Sequence, residues 1–171
     1  MSEKIRILGI DPGLRRCGWG LVDVRGSKIS FLACGTIMPD TKAEMSERLL
    51  HLFREMRAVI DQYKPDRAAI EDTFMNNNAA SALKLGAARA AAMLAPADAG
   101  LGVENYAPRA IKKAIVGTGR ADKNQMAAMV ALLLPGCTAK ADEADALAIA
   151  ICCANHAPLA SALATSLESA S

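Results

Sequence analysis

Residues 5–13 read Ile-Arg-Ile-Leu-Gly-Ile-Asp-Pro-Gly, and this stretch decides the fold. The branched apolar run from Ile5 to Ile10 predicts a buried strand. Pro12 lacks an amide donor and Gly13 permits unusual backbone dihedrals, so the strand must end at Asp11. Active sites of open α/β sheets form at the carboxyl ends of central strands. Asp11 is therefore a candidate catalytic acid, and the alternative is an aspartate that only stabilises a turn.

The rest of the chain predicts a mixed α/β sheet. Residues 17–24 and 28–38 read as two strands that form an antiparallel meander with the first. Two further short strands, within residues 66–73 and 101–106, alternate with helices. Helices are predicted over residues 42–63, 79–95, 108–116, 122–134 and 139–154, the first with a capping box of Thr41 and Glu44. This order indicates a five-stranded α/β fold with helices on both faces of the sheet.

Length and composition indicate a single domain. The 171 residues are 52% hydrophobic, enough to bury a proper core. We expect a domain over residues 1–156 and a flexible tail over 157–171, where the hydrophobic pattern has no period. No apolar run is long enough to span a bilayer, and the N-terminus shows no signal region. The five cysteines are scattered, which argues against a zinc site or disulfides and favours a reducing, cytoplasmic compartment.

Positive charge is concentrated in the middle of the chain. Residues 81–125 carry seven basic and three acidic residues, although the whole chain has a net charge of only +2. This distribution fits a polyanionic substrate, and ordinary solvated helix faces are the alternative. The basic residues of the segment are Lys84, Arg89, Arg109, Lys112, Lys113, Arg120 and Lys123.

Three further carboxylates join Asp11 as candidates for one site. Glu71 ends the fourth predicted strand, with Asp72 directly after it. Asp142 and Asp145 are three residues apart, so they share one face of the last predicted helix. Clustered carboxylates suit hard divalent cations, whereas acids near a helix N-terminus can also simply favour the helix dipole. Four acids at element ends or on one helix face predict a metal site.

Several of these stretches, in this order, resemble the RuvC family of bacterial Holliday junction resolvases. They are ILGIDPG at 7–13, AIEDTFMNNNAASALKLG at 69–86, the basic stretch 109–123 and ADEADALAIA at 141–150. The resemblance covers about residues 5–155. It implies a ribonuclease-H-like fold and an endonuclease that resolves four-way DNA junctions in recombination and repair. The implied reaction makes paired symmetric nicks with 5′-phosphate and 3′-hydroxyl ends.

The resemblance also implies roles for individual residues. The metal ligands and catalytic acids would be Asp11, Glu71, Asp142 and Asp145, holding two Mg²⁺ ions for which Mn²⁺ substitutes. Phe74 would insert among bases at the junction centre, and stacking makes this physically reasonable. Lys112 and Lys123 would act at the scissile phosphate, and the weaker candidates for phosphate contacts are Lys84, Arg89, Arg109, Lys113 and Arg120.

Partners follow from the same resemblance. The family implies a homodimer, which places two sites on opposing strands of a near-two-fold junction. The alanine-rich helix around residues 81–92 is the candidate interface, because its small side chains allow close approach. The branch-migration proteins RuvA and RuvB are the other implied partners.

Three other functions remain open at the level of the sequence. GIDPG resembles the first phosphate loop of actin-like ATPases and sugar kinases, but 171 residues leave no room for their second domain. A junction-binding module without activity is a second alternative, against which the four acids argue. An enzyme that cuts RNA–DNA hybrids is a third, and only the choice of substrate separates it from a resolvase.

Overall fold

The computed structural model describes residues 3–72 and 78–168, with side chains described as far as His156. Strands and helices follow one another in the predicted order. They are β1 (Lys4–Asp11), β2 (Cys17–Arg25), β3 (Lys28–Ile37), α1 (Met45–Tyr63), β4 (Arg67–Glu71), α2 (Ala79–Asp98), β5 (Val103–Tyr106), α3 (Pro108–Val116), α4 (Lys123–Leu133) and α5 (Ala141–Glu168).

The five strands form one mixed sheet in the order β3-β2-β1-β4-β5. The first three strands are antiparallel, with Asp11 opposite Gly18. β4 lies parallel to β1, with Ile10 paired to Ile70, and β5 continues in parallel beside β4. The hydrophobic first strand is therefore central, as the sequence predicts, and its carboxyl end lies beside that of β4.

Helices cover both faces of the sheet, which confirms the predicted architecture. Side chains alternate along a strand, so Ile7 and Leu8 enter different cores. Ile7 belongs to a core with residues of α3, α4 and α5. Leu8 belongs to a core with residues of α1 and α2. These two cores hold the sheet rigidly between two helical layers.

Glycines allow α5 to lie close against the sheet. A Cβ at Gly9 would lie well under 3.0 Å from the carbonyl oxygen of Ala146, closer than real Cβ atoms come. Gly18 on β2 meets the backbone of Asp142 in the same way, and Gly20 meets Leu147. The absence of side chains at these positions brings the first turns of α5 over the end of β1.

Some boundaries differ from the prediction. Glu44, not Thr41, caps α1, in a reciprocal capping box with Glu47. The prediction was wrong because two overlapping sequence patterns satisfy the same spacing and only the backbone selects one. The last helix begins at Ala141 and continues through Pro158 to Glu168, beyond the predicted end at 154. Alanine and leucine after His156 favour helix. The division into a domain and a flexible tail stays a prediction.

Two further observations concern the cysteines and the length of the apolar helices. The five cysteines are free thiols in this structure. No helix among the described residues is sufficiently long and apolar to cross a membrane.

Candidate active site

Asp11 and Glu71 end two neighbouring parallel strands. Because Ile10 pairs with Ile70, the next residue on each strand is one of these acids. Alternation places them on the face of Gly9 and Ala69, which is the face that α5 covers. The two carboxylates therefore come together under α5, as the sequence predicts.

The first turns of α5 bring the second pair of acids over these strand ends. Asp142 and Asp145 lie on one face of the helix, and the carbonyl of Asp142 contacts Gly18, the residue opposite Asp11. Glu143, between them, is directed elsewhere. Its carboxylate accepts a hydrogen bond from the backbone amide of Lys140 at 2.7 Å and from the hydroxyl of Thr36 at 3.4 Å. Glu143 thus anchors the helix start to β3.

A cavity of about 390 Å³ lies between the ends of β1 and β4 and the helices α3, α4 and α5. Three of the four carboxylates line it, together with two lysines and an apolar wall from α3, α4 and α5. The lining residues that carry charge are Asp11, Glu71, Lys112, Asp122, Lys123 and Asp145.

The fourth carboxylate, Asp142, is engaged by a residue for which the sequence analysis assigned no role. The guanidinium of Arg16, in the loop after β1, donates to Asp142 and forms an ion pair with it. The one available signal was its position, five residues after Asp11 in a loop that must lie at the same edge of the sheet. Arg16 thus balances part of the negative charge of the site.

The carboxylates raise one another's pKa. Burial raises the pKa of Asp11 from its ordinary value of 3.8 to about 7, and the charges of Asp145, Glu71 and Asp142 add to the effect. Burial and Asp145 also raise the pKa of Glu71. Burial raises the pKa of Asp145, an effect that Lys123 opposes. Carboxylates that are costly to ionise together favour the binding of a cation.

Lys112 and Lys123 approach the acids from the basic segment. Lys112 is half-buried on α3 and lowers the pKa of Glu71. The ammonium of Lys123 lies 3.9 Å from a carboxylate oxygen of Asp145, and its side chain is 88% exposed. Lys123 begins α4 directly after Asp122, which caps this helix in a capping box with Gln125. Both lysines therefore line the cavity, and Lys123 is the more exposed of the two.

The structure separates the two adjacent acids of β4. Glu71 lines the cavity, whereas Asp72 forms an ion pair of 3.2 Å with Arg89 of α2. Arg89 also donates to the carbonyl of Glu71 at 3.2 Å and to the side chain of Asn105. These contacts favour a structural role for Arg89, which holds the end of β4, rather than the predicted contact with phosphate.

The remaining candidates for phosphate contacts are exposed basic residues that do not line this cavity. Arg109 and Lys113 are exposed on α3, and Arg120 is exposed in the turn before α4. Lys84 lines a second cavity, beside the loop after β1. Phe74 lies outside the described residues.

The donor set fits a divalent cation in kind. Its groups are carboxylates, the ligands that Mg²⁺ and Mn²⁺ prefer, and burial, together with the neighbouring negative charges, raises the pKa of Asp11, Glu71 and Asp145. In the described part of the chain, no three His, Cys, Asp or Glu side chains converge closely enough to hold a metal as they stand. Arg16 and Lys123 hold Asp142 and Asp145 in ion pairs instead.

Comparison with known proteins identifies the family. The model of the family "Crossover junction endodeoxyribonuclease RuvC" matches residues 7–153. The Maricaulis maris protein of that name is 63% identical over 156 residues, which cover 91% of this chain and 94% of that protein. The protein from Caulobacter vibrioides is 59% identical and covers 88% of this chain and 89% of its own length.

Solved structures agree with the sequence relatives. Thermus thermophilus RuvC, in complex with Holliday junction substrate, matches with a TM-score of 0.85 at 31% identity. The match covers 91% of this chain and 96% of that one. The mixed sheet between helical layers is thus the ribonuclease-H-like fold of RuvC proteins. The chain belongs to the RuvC family of crossover junction endodeoxyribonucleases.

Proposed function

We propose that this protein resolves four-way DNA junctions by paired symmetric nicks in opposing strands, during recombination and repair. The observation that carries the proposal is the gathering of acids from β1, β4 and α5 at one cavity, in a chain of the RuvC family. The solved relative in complex with Holliday junction substrate supports the choice of substrate.

In this proposal Asp11, Glu71, Asp142 and Asp145 hold two Mg²⁺ ions, for which Mn²⁺ substitutes. Ions held there would supply activation of a water and stabilisation of the leaving 3′ oxygen, which would give 5′-phosphate and 3′-hydroxyl ends. Arg16 donates to one carboxylate oxygen of Asp142, so an ion would compete with this guanidinium for that oxygen. We assign no general base to the protein, because the acids serve as ligands.

The lysines of the cavity contribute positive charge at the scissile phosphate. Lys112 approaches Glu71 from α3, and Lys123 lies at the mouth of the cavity with a mobile, exposed side chain. Both stabilise the negative charge that develops on the phosphate during attack. Arg109, Lys113 and Arg120 bind the DNA backbone beside it, and Phe74 stacks among bases at the junction centre.

The exposed face of α2 supports a homodimer. Leu83 and Leu94 are 76% and 59% exposed, and both lie on one face of the helix with Gly86 and Ala90. A Cβ at Gly86 would meet no described atom within 4 Å, so this glycine serves no packing need among the described residues of its own chain. A second copy fits this surface and places a second active site on the opposing strand. The branch-migration proteins RuvA and RuvB are the other proposed partners, and the proposed location of the protein is the cytoplasm.

The proposal is tested with an end-labelled mobile four-way junction, in Mg²⁺ or EDTA. Linear duplex and an RNA–DNA hybrid of the same sequence serve as controls. We expect paired nicks at symmetric positions in the junction alone, absent with EDTA. Cutting of the hybrid instead would leave the fold in place and assign a different substrate. Binding without cutting would contradict the enzymatic proposal.

A further inference from the structure

A second cavity, of about 600 Å³, lies beside the loop after β1. Three separate parts of the chain contribute cations to its wall: the loop, α1 and α2. We call the set Arg15, Arg16, Arg48 and Lys84 the basic pocket. None of the described lining residues is acidic, and the others are Gly13, Leu14, Thr41, Ser81 and Leu85.

Arg48 is held in place by the loop. One terminal nitrogen of its guanidinium donates to the carbonyl of Leu14 at 3.0 Å. Its Nε is buried and finds no hydrogen-bond acceptor among the described residues. A buried donor without a partner is costly, so a rotation of the guanidinium that brings Nε to an acceptor in the cavity would be favourable.

The other cations of the basic pocket are available to the same acceptor. Within the described residues, Arg15 and Lys84 form no ion pair, and both side chains are exposed. Other arginines of the described chain are paired with acids, for example Arg57 with Asp61 at 3.0 Å and Asp98 at 3.1 Å. Three of the four cations of the basic pocket, all except Arg16, therefore have no ion-pair partner among the described residues.

Phosphate is the group that matches this chemistry. The planar guanidinium binds phosphate oxygens through parallel hydrogen bonds, and lysine adds a point charge. Hydroxyl groups of Thr41 and Ser81 line the same wall and supply neutral donors. The side chains of Arg15 and Lys84 at the wall of the cavity are exposed, so the cavity is open to solvent there. An open cavity suits a segment of a polymer better than an enclosed metabolite.

The position of the basic pocket connects it to the active site. Gly13 to Arg16 directly follow the strand that ends in Asp11, and Arg16 both lines the pocket and pairs with Asp142. A chain of phosphates that passes the catalytic carboxylates would reach the pocket along the same edge of the sheet.

We propose that the basic pocket binds backbone phosphates of a DNA arm, away from the phosphate that is cut. The proposal rests on the proposed function, because it takes DNA as the substrate. It assigns a DNA contact to Arg15 and Arg48 and gives Lys84 a defined place beside them.

The test measures DNA affinity as a function of salt, in EDTA so that no strand is cut. The test variant carries Arg15→Gln and Lys84→Gln, and its matched control carries Arg25→Gln and Lys28→Gln. The control also removes one exposed arginine and one exposed lysine, but from the β2–β3 turn at the opposite edge of the sheet. Fluorescence anisotropy with a labelled junction gives the dissociation constant at each salt concentration.

We expect the test variant to bind the junction about tenfold or more weakly. The slope of log affinity against log salt should fall by about two, one for each lost phosphate contact. The control should bind as the wild type does. A test variant with the affinity and slope of the control would overturn the proposal. Wild-type protein that binds no DNA would instead contradict the proposed function itself.

A second measurement does not depend on these variants. The Nε–H resonance of Arg48, assigned by its loss in Arg48→Lys, is followed by NMR during titration with linear duplex or with inorganic phosphate. A shift at micromolar duplex supports the proposal. A shift with inorganic phosphate alone would identify a site for a small anion and overturn the assignment to DNA.

Discussion

At the scale of the residue, the neighbours Glu71 and Asp72 offer a matched pair. Glu71 lines the active-site cavity, and Asp72 pairs with Arg89 on the side of α2. We expect Glu71→Gln to bind four-way junctions normally and to lose at least about 10³-fold in cleavage rate, since a proposed metal ligand is lost. Single-turnover cleavage with Mg²⁺, beside an anisotropy measurement of binding, checks this result.

Asp72→Asn is the control for that substitution. The same change of charge at the adjacent position should leave cleavage within a few-fold of wild type, because its side chain does not reach the cavity. Equal losses in both variants would show that the acids act through the stability of β4 rather than through the site.

Asp11 carries a prediction about pH. Its pKa is about 7 in the folded protein and 3.8 ordinarily. The free energy of unfolding therefore falls as the pH rises between these two values, and this loss of stability is complete above about pH 7. Asp11→Asn removes this penalty. We expect the variant, in EDTA at pH 8, to gain on the order of 2 kcal/mol in the free energy of unfolding and nothing at pH 4.

The metal dependence of stability completes this measurement. Added Mg²⁺ should raise the free energy of unfolding of the wild type, measured by urea denaturation, because the ions bind the folded state. It should have little effect on Asp11→Asn. A wild-type protein that is already more stable than Asp11→Asn in EDTA would contradict the repulsion inferred among the carboxylates.

At the scale of the element, the placement of α5 depends on glycines of the sheet. Gly9→Ala would drive a methyl group into the backbone of Ala146, and no flexible side chain is there to give way. We expect a loss of about 3 kcal/mol in the free energy of unfolding, together with weakened cleavage as α5 and its acids shift.

Gly86→Ala is the matched substitution on a helix. Nothing described lies within 4 Å of the new methyl group, and alanine favours helix over glycine by about 1 kcal/mol. Thermal denaturation should therefore show opposite changes for the two variants. Destabilisation by both would indicate that position 86 is closely packed, against the same subunit or against a second copy.

At the scale of the whole molecule, the exposed apolar face of α2 is the interface of the proposed homodimer. We expect Leu83→Glu and Leu94→Glu to convert a dimer to monomers, since each places a charge at the centre of the proposed interface. Sedimentation velocity over a range of protein concentrations measures the change. Cleavage should lose its pairing of nicks in opposing strands as the dimer dissociates.

Leu132→Glu provides the comparison on another surface. Leu132 of α4 is 71% exposed, close to the value for Leu83, but lies on the opposite helical layer. This variant should sediment as the wild type does. A monomeric wild type, or dissociation by Leu132→Glu alone, would exclude the α2 interface.

The amino-acid sequence alone was enough to predict the α/β architecture and to identify the candidate catalytic acids. Alternating and continuous hydrophobic runs, proline stops and glycine turns are local signals, and they predicted the order of strands and helices along the chain and Asp11 at a strand end. The spacing of Asp142 and Asp145 also determines that they share a helix face. Local propensities and covalent geometry suffice for these features, which is why they required no knowledge of distant contacts.

Which side chains from distant parts of the chain come into contact was known only from the tertiary structure. Alternation states that Glu71 and Asp72 face opposite ways, but the position of α5 decides which of them reaches the active site. Arg16 meets Asp142, and Arg15, Arg48 and Lys84 converge at one pocket, across long separations in the chain. Such contacts depend on how whole layers pack, and the close approach of α5 to Gly9 and Gly18 sets that packing here. No local pattern of residues encodes it.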